Sequence, residues 1–115
     1  MNESSHYWYR ACFAAEIPRR GSIRVSHGQL KIAIFKTAKD EIFALEDKCP
    51  HKGGPLSAGI VHNNCVTCPL HNWDISLESG QALGADEGCT TKYKVEVKDE
   101  VVMLFVKKTP ALSVV

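Results

Sequence analysis

Hydrophobic and polar residues alternate with a period of two over several short segments, a pattern typical of strands that bury one face. Leu30–Ile34 and Tyr93–Lys98 alternate in this way. Tyr7–Tyr9 is interpreted as an amphipathic first strand, and Ile42–Leu45 as an apolar segment after the polar turn 37–41. Ser26-His27-Gly28 is interpreted as a turn before Leu30–Ile34, and Asp99-Glu100 as a turn between Tyr93–Lys98 and the apolar run 101–106. No segment has a convincing helical period. We therefore expect strands throughout, with a hairpin near the C-terminal end.

The middle of the chain, from Asp47 to about Gly84, has a different character. It is rich in Gly, Pro, Asn and Cys, with short apolar pieces between turns. Ile60-Val61, Cys65–Thr67 and Trp73–Leu77 could each form a short strand. Without a repeat or a linker, the 115 residues predict one all-β domain spanning 1–115, an antiparallel framework that carries this loop-rich insert.

Charge and composition argue against several function classes. Lys plus Arg number 14 and Asp plus Glu number 13, so the formal net charge of +1 predicts no nucleic-acid-binding surface. The longest apolar runs are too short to cross a bilayer, and the first residues show no signal peptide. We therefore expect a cytoplasmic protein without a membrane or nucleic-acid partner. No dinucleotide fingerprint and no catalytic triad stands out, so no catalytic pocket is expected.

Two short loops carry the residues that are typical metal ligands. Cys49-Pro50-His51 and Cys68-Pro69-Leu70-His71 each offer one thiol and one imidazole, with sixteen residues between His51 and Cys68. Such a split suits a two-iron cluster in which two cysteines bind one iron and two histidines bind the other. A zinc site made from the same residues is the alternative, and Cys65 competes with Cys49 for a place in it.

The remaining cysteines and histidines have simpler interpretations. An odd total of five cysteines, without an export signal, argues against a disulfide framework. Cys65 is interpreted as a small buried residue, and Cys12 and Cys89 as packed within the β framework. Trp73 is expected to lie in the core beneath the ligand loops. The histidines at 6, 27 and 62 have no partner at ligand spacing and are expected to be solvated.

The pattern C-x-H, sixteen residues and C-x-x-H, with a proline after each cysteine, resembles the Rieske [2Fe–2S] proteins. This resemblance implies an antiparallel β-sandwich or barrel base with a cluster-binding subdomain at about 47–84. It also implies a Rieske-type [2Fe–2S] cluster as the cofactor. By the same resemblance, Cys49 and Cys68 bind the inner iron, and His51 and His71 bind the outer iron, which changes oxidation state.

Within that family, the stretch after the second loop resembles the small subunit of assimilatory NAD(P)H-dependent nitrite reductases. The resemblance is carried by Asn72-Trp73, Ser79–Ala82 and Gly84–Cys89, followed by Thr91 and Tyr93. It implies an electron-transfer subunit of an oxidoreductase, whose large partner subunit carries flavin and sirohaem and reduces nitrite to ammonium in nitrate assimilation. A stand-alone Rieske ferredoxin serving a ring-hydroxylating oxygenase is the alternative. A third interpretation is a non-redox interaction module, zinc-bound or cluster-free.

Overall fold

The computed structural model describes residues 6–50, 54–69, 72–83 and 88–107, and the all-β prediction is confirmed there. The strands are β1 (His6–Phe13), β2 (Gly21–His27), β3 (Leu30–Lys36), β4 (Ile42–Glu46), β5 (Ile60–His62), β6 (Cys65–Thr67), β7 (Asp74–Ser76), β8 (Lys92–Lys98) and β9 (Val101–Lys107). Two 3-10 turns, Ala14–Glu16 and Leu56–Ala58, are the helical elements of the described residues, and neither could cross a membrane.

The larger sheet has six antiparallel strands in the order β1-β9-β8-β4-β3-β2, so β1 and β2 are its two edges. Side chains bring these edges together. The Tyr7 hydroxyl lies 3.0 Å from Nε2 of His27, and the Tyr9 ring lies 4.4 Å from the His27 ring. The sheet is therefore curved into a half-barrel, and His27 has two aromatic partners. The expectation that His27 is simply solvated was wrong.

Strands β3 and β4 are buried on both faces. On one face, Ile32, Ile34 and Ala44 pack with Val102 and Leu104 inside the half-barrel. On the other face, the side chains pack against the three-stranded sheet of β5, β6 and β7; they include Ala33, Phe35 and Leu45. The alternating pattern of Leu30–Ile34 predicted a single buried face, and that prediction was wrong for β3. A second layer covers the face that the pattern assigned to solvent.

The predicted C-terminal hairpin is confirmed. Strands β8 and β9 pair in antiparallel register, with Lys98 opposite Val101, so Asp99 and Glu100 form a two-residue turn. Their φ angles are 53° and 65°, both in the left-handed region. Two successive left-handed residues are typical of a type I′ turn, which matches the twist of the strands. The turn therefore forms without the glycine that it usually contains.

The sequence pattern missed β2. Its alternating apolar set is short, only Ile23 and Val25, and its final residues, Ser26 and His27, were assigned to a turn. Both residues pair with β3, and the turn begins at Gly28, whose φ is 63°. As an edge strand that pairs with β3 alone, β2 does not need a continuous apolar pattern.

The smaller sheet, in the order β5-β6-β7, supports the ligand loops. Val61, Val66 and Ile75 are its inner side chains and are buried against β3 and β4. The opposite face carries polar side chains, among them His62, Cys65, Thr67, Asp74 and Ser76. The second ligand loop leaves the end of β6 and returns at the start of β7.

Candidate metal centre

The structure places the two predicted cysteine ligands in one buried cluster. Cys49 is 1% exposed and Cys68 is 0% exposed, and both pack among Leu56, Val66 and other apolar side chains. Two thiols in one apolar environment fit a site in which both bind the same iron. The predicted histidine ligands, His51 and His71, lie outside the described residues.

Each of the two ligand loops is closed by a backbone hydrogen bond, and the two bonds are equivalent. The backbone N–H of Cys49 donates to the carbonyl of Gly54 at 2.7 Å, and the N–H of Cys68 donates to the carbonyl of Trp73 at 2.7 Å. Each bond therefore joins a cysteine to the fifth residue after it. Asn72, just before the second closure, has a φ of 57°, a conformation that asparagine tolerates better than most residues. Both cysteines are thus held at the start of a short closed loop.

A buried carboxylate fastens the base of the first loop. The Asp47 side chain is fully buried, and its Oδ1 accepts from the N–H of Ser57 at 2.7 Å. Its Oδ2 accepts from the Ser57 hydroxyl at 2.7 Å and from Nε of half-exposed Arg24 at 2.5 Å. One side chain therefore ties β2 to both ends of the loop. The sequence analysis missed this role, because no spacing rule connects Asp47 with partners ten and twenty-three residues away.

A third segment covers the first ligand loop. The N–H of Ala82 donates to the carbonyl of Gly88, and that of Thr90 to the carbonyl of Gly80, both at 2.8 Å. These bonds bring Gly88 against the first loop: a Cβ placed on Gly88 would lie 3.0 Å from Cβ of Pro50. The φ of Gly88 is 138°, which is unfavourable for any residue with a side chain. We call residues 80–83 and 88–90 the covering segment.

Replacing Gly88 with alanine is expected to lower the free energy of unfolding by about 1–2 kcal/mol, since it adds backbone strain and a contact with Pro50. Thermal unfolding of the purified protein measures this loss. Gly28→Ala is the control, because Gly28 also has a positive φ but lies in the turn between β2 and β3. Both variants should melt earlier, and only Gly88→Ala should contain less iron. Equal iron contents would show that the covering segment does not support the first loop.

Cys65 lies apart from the two buried thiols. It is on the face of β6 opposite to Val66, in a shallow groove of about 720 Å³ that Arg20 and Lys39 also line. It is half-buried, so its interpretation as a buried residue was wrong. Burial, followed by the charges of Asp74 and Glu78, raises the pKa of the Cys65 thiol. These observations favour Cys49 over Cys65 as the partner of Cys68.

The other two cysteines differ from each other. Cys12 is half-buried beside the half-barrel core, and burial followed by the charge of Glu16 raises its pKa. Cys89 is exposed and lines a cavity of about 350 Å³ with Cys49 and Pro50. The expectation of packing is therefore confirmed for Cys12 and wrong for Cys89, because only the backbone of Cys89 takes part in the covering segment, by a bridge to Gln81.

The aromatic and histidine interpretations had mixed outcomes. Trp73 packs partly buried against the core that contains both predicted cysteine ligands, as expected. His6 stacks on Phe105 with 5.2 Å between ring centroids, and His62 lies 2.7 Å from the Thr67 hydroxyl. Neither histidine is simply solvated, so that expectation was wrong. Contacts of this kind, between side chains on different strands, cannot be predicted from the local sequence.

An antiparallel β framework in which two matched loops bury paired thiols is compatible with an iron–sulfur protein. The model of the Rieske [2Fe–2S] domain matches residues 7–94, so the chain belongs to the Rieske [2Fe–2S] family. Its cofactor is accordingly a Rieske-type [2Fe–2S] cluster. The buried thiols of Cys49 and Cys68 fit the cysteine half of that ligand set.

Individual relatives include ferredoxin subunits of two dioxygenases, and the similar solved structures include one described as a nitrite reductase small subunit. The chain is 36% identical over 90 residues to the ferredoxin subunit of 3-phenylpropionate/cinnamic acid dioxygenase from Photorhabdus laumondii, covering 76% of this chain and 84% of that one. It is 45% identical over 53 residues to the ferredoxin subunit of anthranilate 1,2-dioxygenase from Burkholderia cepacia, covering 46% and 48% of the two chains. A solved structure described as the small subunit of an NADPH nitrite reductase is 27% identical, with a TM-score of 0.77, over 87% of this chain and 99% of that one.

Coverage differs widely among these relatives. The match covers 48% of the anthranilate 1,2-dioxygenase ferredoxin subunit. It covers only 19% of another relative, the 4beta-methylsterol monooxygenase of Methylococcus capsulatus. The shared part of the longer proteins is therefore a Rieske domain, and their complete activities do not follow from it.

Proposed function

We propose that Cys49, His51, Cys68 and His71 hold the [2Fe–2S] cluster, with the two cysteines on one iron and the two histidines on the other. The bound cluster supplies a reversible one-electron couple. The closed loops fix the cysteines, and the apolar cluster around them keeps water away from the thiolate side. We also propose that residues 1–115 form a single domain in which residues 47–84 bind the cluster. A cytoplasmic location remains a prediction.

We further propose that the chain is the electron-transfer subunit of an NAD(P)H-dependent nitrite reductase. The observation that carries this proposal is the position of the covering segment. Its residues Gly88 and Cys89 end the stretch that resembles the nitrite reductase small subunits, and Gly88 lies directly on Pro50 of the first ligand loop. Residues 84–87 of that stretch lie outside the described residues. Similarity to a nitrite reductase small subunit over nearly all of that chain also supports the proposal.

A ferredoxin that serves a ring-hydroxylating oxygenase is the second candidate. It is favoured by the 36% identity to a dioxygenase ferredoxin subunit over 84% of that subunit. Both candidate functions require a protein that carries one electron and has no substrate pocket of its own. They differ in the partner that exchanges the electron.

Reconstitution with purified partners separates the two candidates. The loaded protein is mixed either with a sirohaem-containing nitrite reductase large subunit or with a ring-hydroxylating oxygenase and its reductase. We expect co-elution with the large subunit in size-exclusion chromatography and faster nitrite-dependent oxidation of NAD(P)H. Product formation by the oxygenase, without an effect on nitrite reduction, would establish the ferredoxin instead. A colourless, zinc-containing protein would overturn both in favour of an interaction module.

Replacing His71 with cysteine is expected to lower the midpoint potential of the cluster. A thiolate adds a negative charge where a neutral imidazole stood, and this charge opposes the gain of an electron. Film voltammetry of the wild-type and H71C proteins measures the difference. The variant H27Q is the control, because His27 joins the edges of the half-barrel and lies outside both ligand loops. A potential that is unchanged in a fully loaded H71C protein would exclude His71 as a ligand.

A further inference from the structure

The outer face of the smaller sheet carries a hydrogen-bonded chain that crosses all three strands. His62 of β5, Thr67 of β6 and Asp74 of β7 are its members. The Thr67 hydroxyl donates to Oδ1 of Asp74 at 2.5 Å, and Nε2 of His62 lies 2.7 Å from the same hydroxyl. His62 Nε2 is also 3.5 Å from Oδ1 of Asp74. These contacts connect side chains from all three strands on the face of the sheet opposite to the core.

The chemistry of the three groups fixes the direction of donation. A carboxylate only accepts hydrogen bonds, so Thr67 gives its single hydroxyl proton to Asp74. The hydroxyl oxygen then accepts from His62, and the Nε2 atom of His62 must carry a proton. Donation therefore runs one way, from His62 through Thr67 to Asp74. We call these three residues the three-strand clamp.

The clamp lies at the base of the second ligand loop. Thr67 and Asp74 are direct partners in the ladder between β6 and β7, and the next pair along the chain is the closure from Cys68 to Trp73. On its other side, Thr67 is held closely by the chain before β5, since a Cβ on Gly59 would lie 2.3 Å from the Thr67 carbonyl oxygen. The side chain of Thr67 therefore acts on the residue pair from which the loop emerges.

Asp74 also connects the clamp with the covering segment. Its backbone carbonyl accepts from the N–H of Leu83 at 2.9 Å, and the neighbouring residue Ala82 is bonded to Gly88. Gly88 in turn lies on Pro50 of the first loop. A displacement of Asp74 would thus move the second ligand loop directly, and it would move the first ligand loop through the covering segment.

We propose that His62, Thr67 and Asp74 position the second ligand loop relative to the first and thereby tune the midpoint potential of the protein. The inference rests on the proposed ligand set, and it does not depend on which redox partner the protein serves. The relation between the loops sets the hydrogen bonds and solvent exposure around the cluster, on which such potentials depend. All three are positioning residues, because none of them is a proposed ligand.

Substitutions at Thr67 test the proposal. Thr67→Val keeps the shape of the side chain and its preference for strands while it removes the hydroxyl, and Thr67→Ser restores the hydroxyl. For T67V we expect a shifted midpoint potential and altered g values in the electron paramagnetic resonance spectrum of the reduced protein. We also expect amide hydrogen exchange at Cys68 to be about five to ten times faster, the effect of losing one hydrogen bond. T67S should return all three quantities toward the wild-type values.

Thr37→Val is the matched control. The Thr37 hydroxyl accepts from the N–H groups of Lys39 and Glu41 at 3.2 Å, in the turn between β3 and β4. T37V should therefore lower the melting temperature while the potential and the exchange at Cys68 stay unchanged. Equal potential shifts in T37V and T67V would overturn the proposal, as would wild-type values of all three quantities in T67V.

A second variant and the cluster-free protein complete the test. If T67V does not retain a cluster, His62→Leu removes only the first donor, and a smaller shift in the same three quantities is expected. Exchange at Cys68 is also measured on the cluster-free chain, where faster exchange in T67V supports the clamp and wild-type exchange excludes it. A wild-type protein without a Rieske-type spectrum would instead refute the ligand set, which keeps the two failures distinct.

Discussion

Replacing Cys68 with serine is expected to leave the protein without a stable [2Fe–2S] cluster, whereas Cys65→Ser should leave the iron content unchanged. Cys68 is completely buried in the cluster of side chains that contains Cys49, at the start of a closed loop. Serine cannot supply the soft thiolate that iron–sulfur clusters require. Cys65 is only three residues away, but it lies on the other face of β6.

Iron and zinc assays of the two purified variants, together with electron paramagnetic resonance after reduction by dithionite, measure this difference. In the wild-type protein and in C65S, the spectrum should have an average g below that of all-cysteine clusters. C68S should show no such signal. Loss of metal from C65S, with zinc present in the wild-type protein, would establish the C-x-x-C zinc site and refute the cluster assignment.

The contrast between Cys68 and Cys65 shows what the sequence pattern can predict and what it cannot. The spacing of C-x-H and C-x-x-H predicts Cys49 and Cys68 as ligands, and the structure buries both in one apolar cluster. The same spacing could not distinguish Cys65 from Cys49. That distinction depends on which face of β6 points to the core, and the face is decided by packing against β3 and β4.

Strand prediction succeeded where local alternation and a turn coincide, as in the hairpin of β8 and β9. It failed where a second layer changes the meaning of the pattern. Ala33 and Phe35 of β3 lie on the face that alternation assigns to solvent, yet both are buried by the smaller sheet. Strand β2 was missed because its alternating pattern contains only two apolar residues, Ile23 and Val25, and because its last two residues were assigned to a turn.

The residues that support the candidate site share one property: their partners are distant in sequence or lie on other strands. The Asp47 carboxylate accepts hydrogen bonds from Arg24 and Ser57, and the backbone of Gly88 lies against Pro50. Such pairs form only after the sheets have assembled, so a single sequence gives no signal for them. The spacing of the predicted ligands is a local pattern in the sequence, whereas the contacts that support their loops are tertiary and leave no such pattern.

Replacing Asp47 with asparagine is expected to lower the free energy of unfolding by about 2–3 kcal/mol, although the two side chains have almost the same shape. Both carboxylate oxygens accept hydrogen bonds, Oδ1 from the Ser57 N–H and Oδ2 from the Ser57 hydroxyl and Arg24. An asparagine side chain must turn its NH₂ group toward one of these sets of donors. Either orientation leaves a buried donor facing another donor, and Arg24 loses its charged partner. Since whole domains are stable by about 5–15 kcal/mol, this is a large fraction.

Urea unfolding of the cluster-free proteins measures the loss without a contribution from metal binding. Asp40→Asn is the matched control, because Asp40 makes a two-bond contact with Arg19 on the surface, where both side chains are exposed. There the NH₂ group can turn toward water, so the unfolding midpoint of D40N should lie within experimental error of the wild type. In the loaded protein, D47N should also lose iron faster at raised temperature, since the first ligand loop would keep its backbone closure and its contact with Gly88 but lose part of the support at its base. Equal midpoints for D47N and the wild type would mean that the buried carboxylate does not hold the base of that loop.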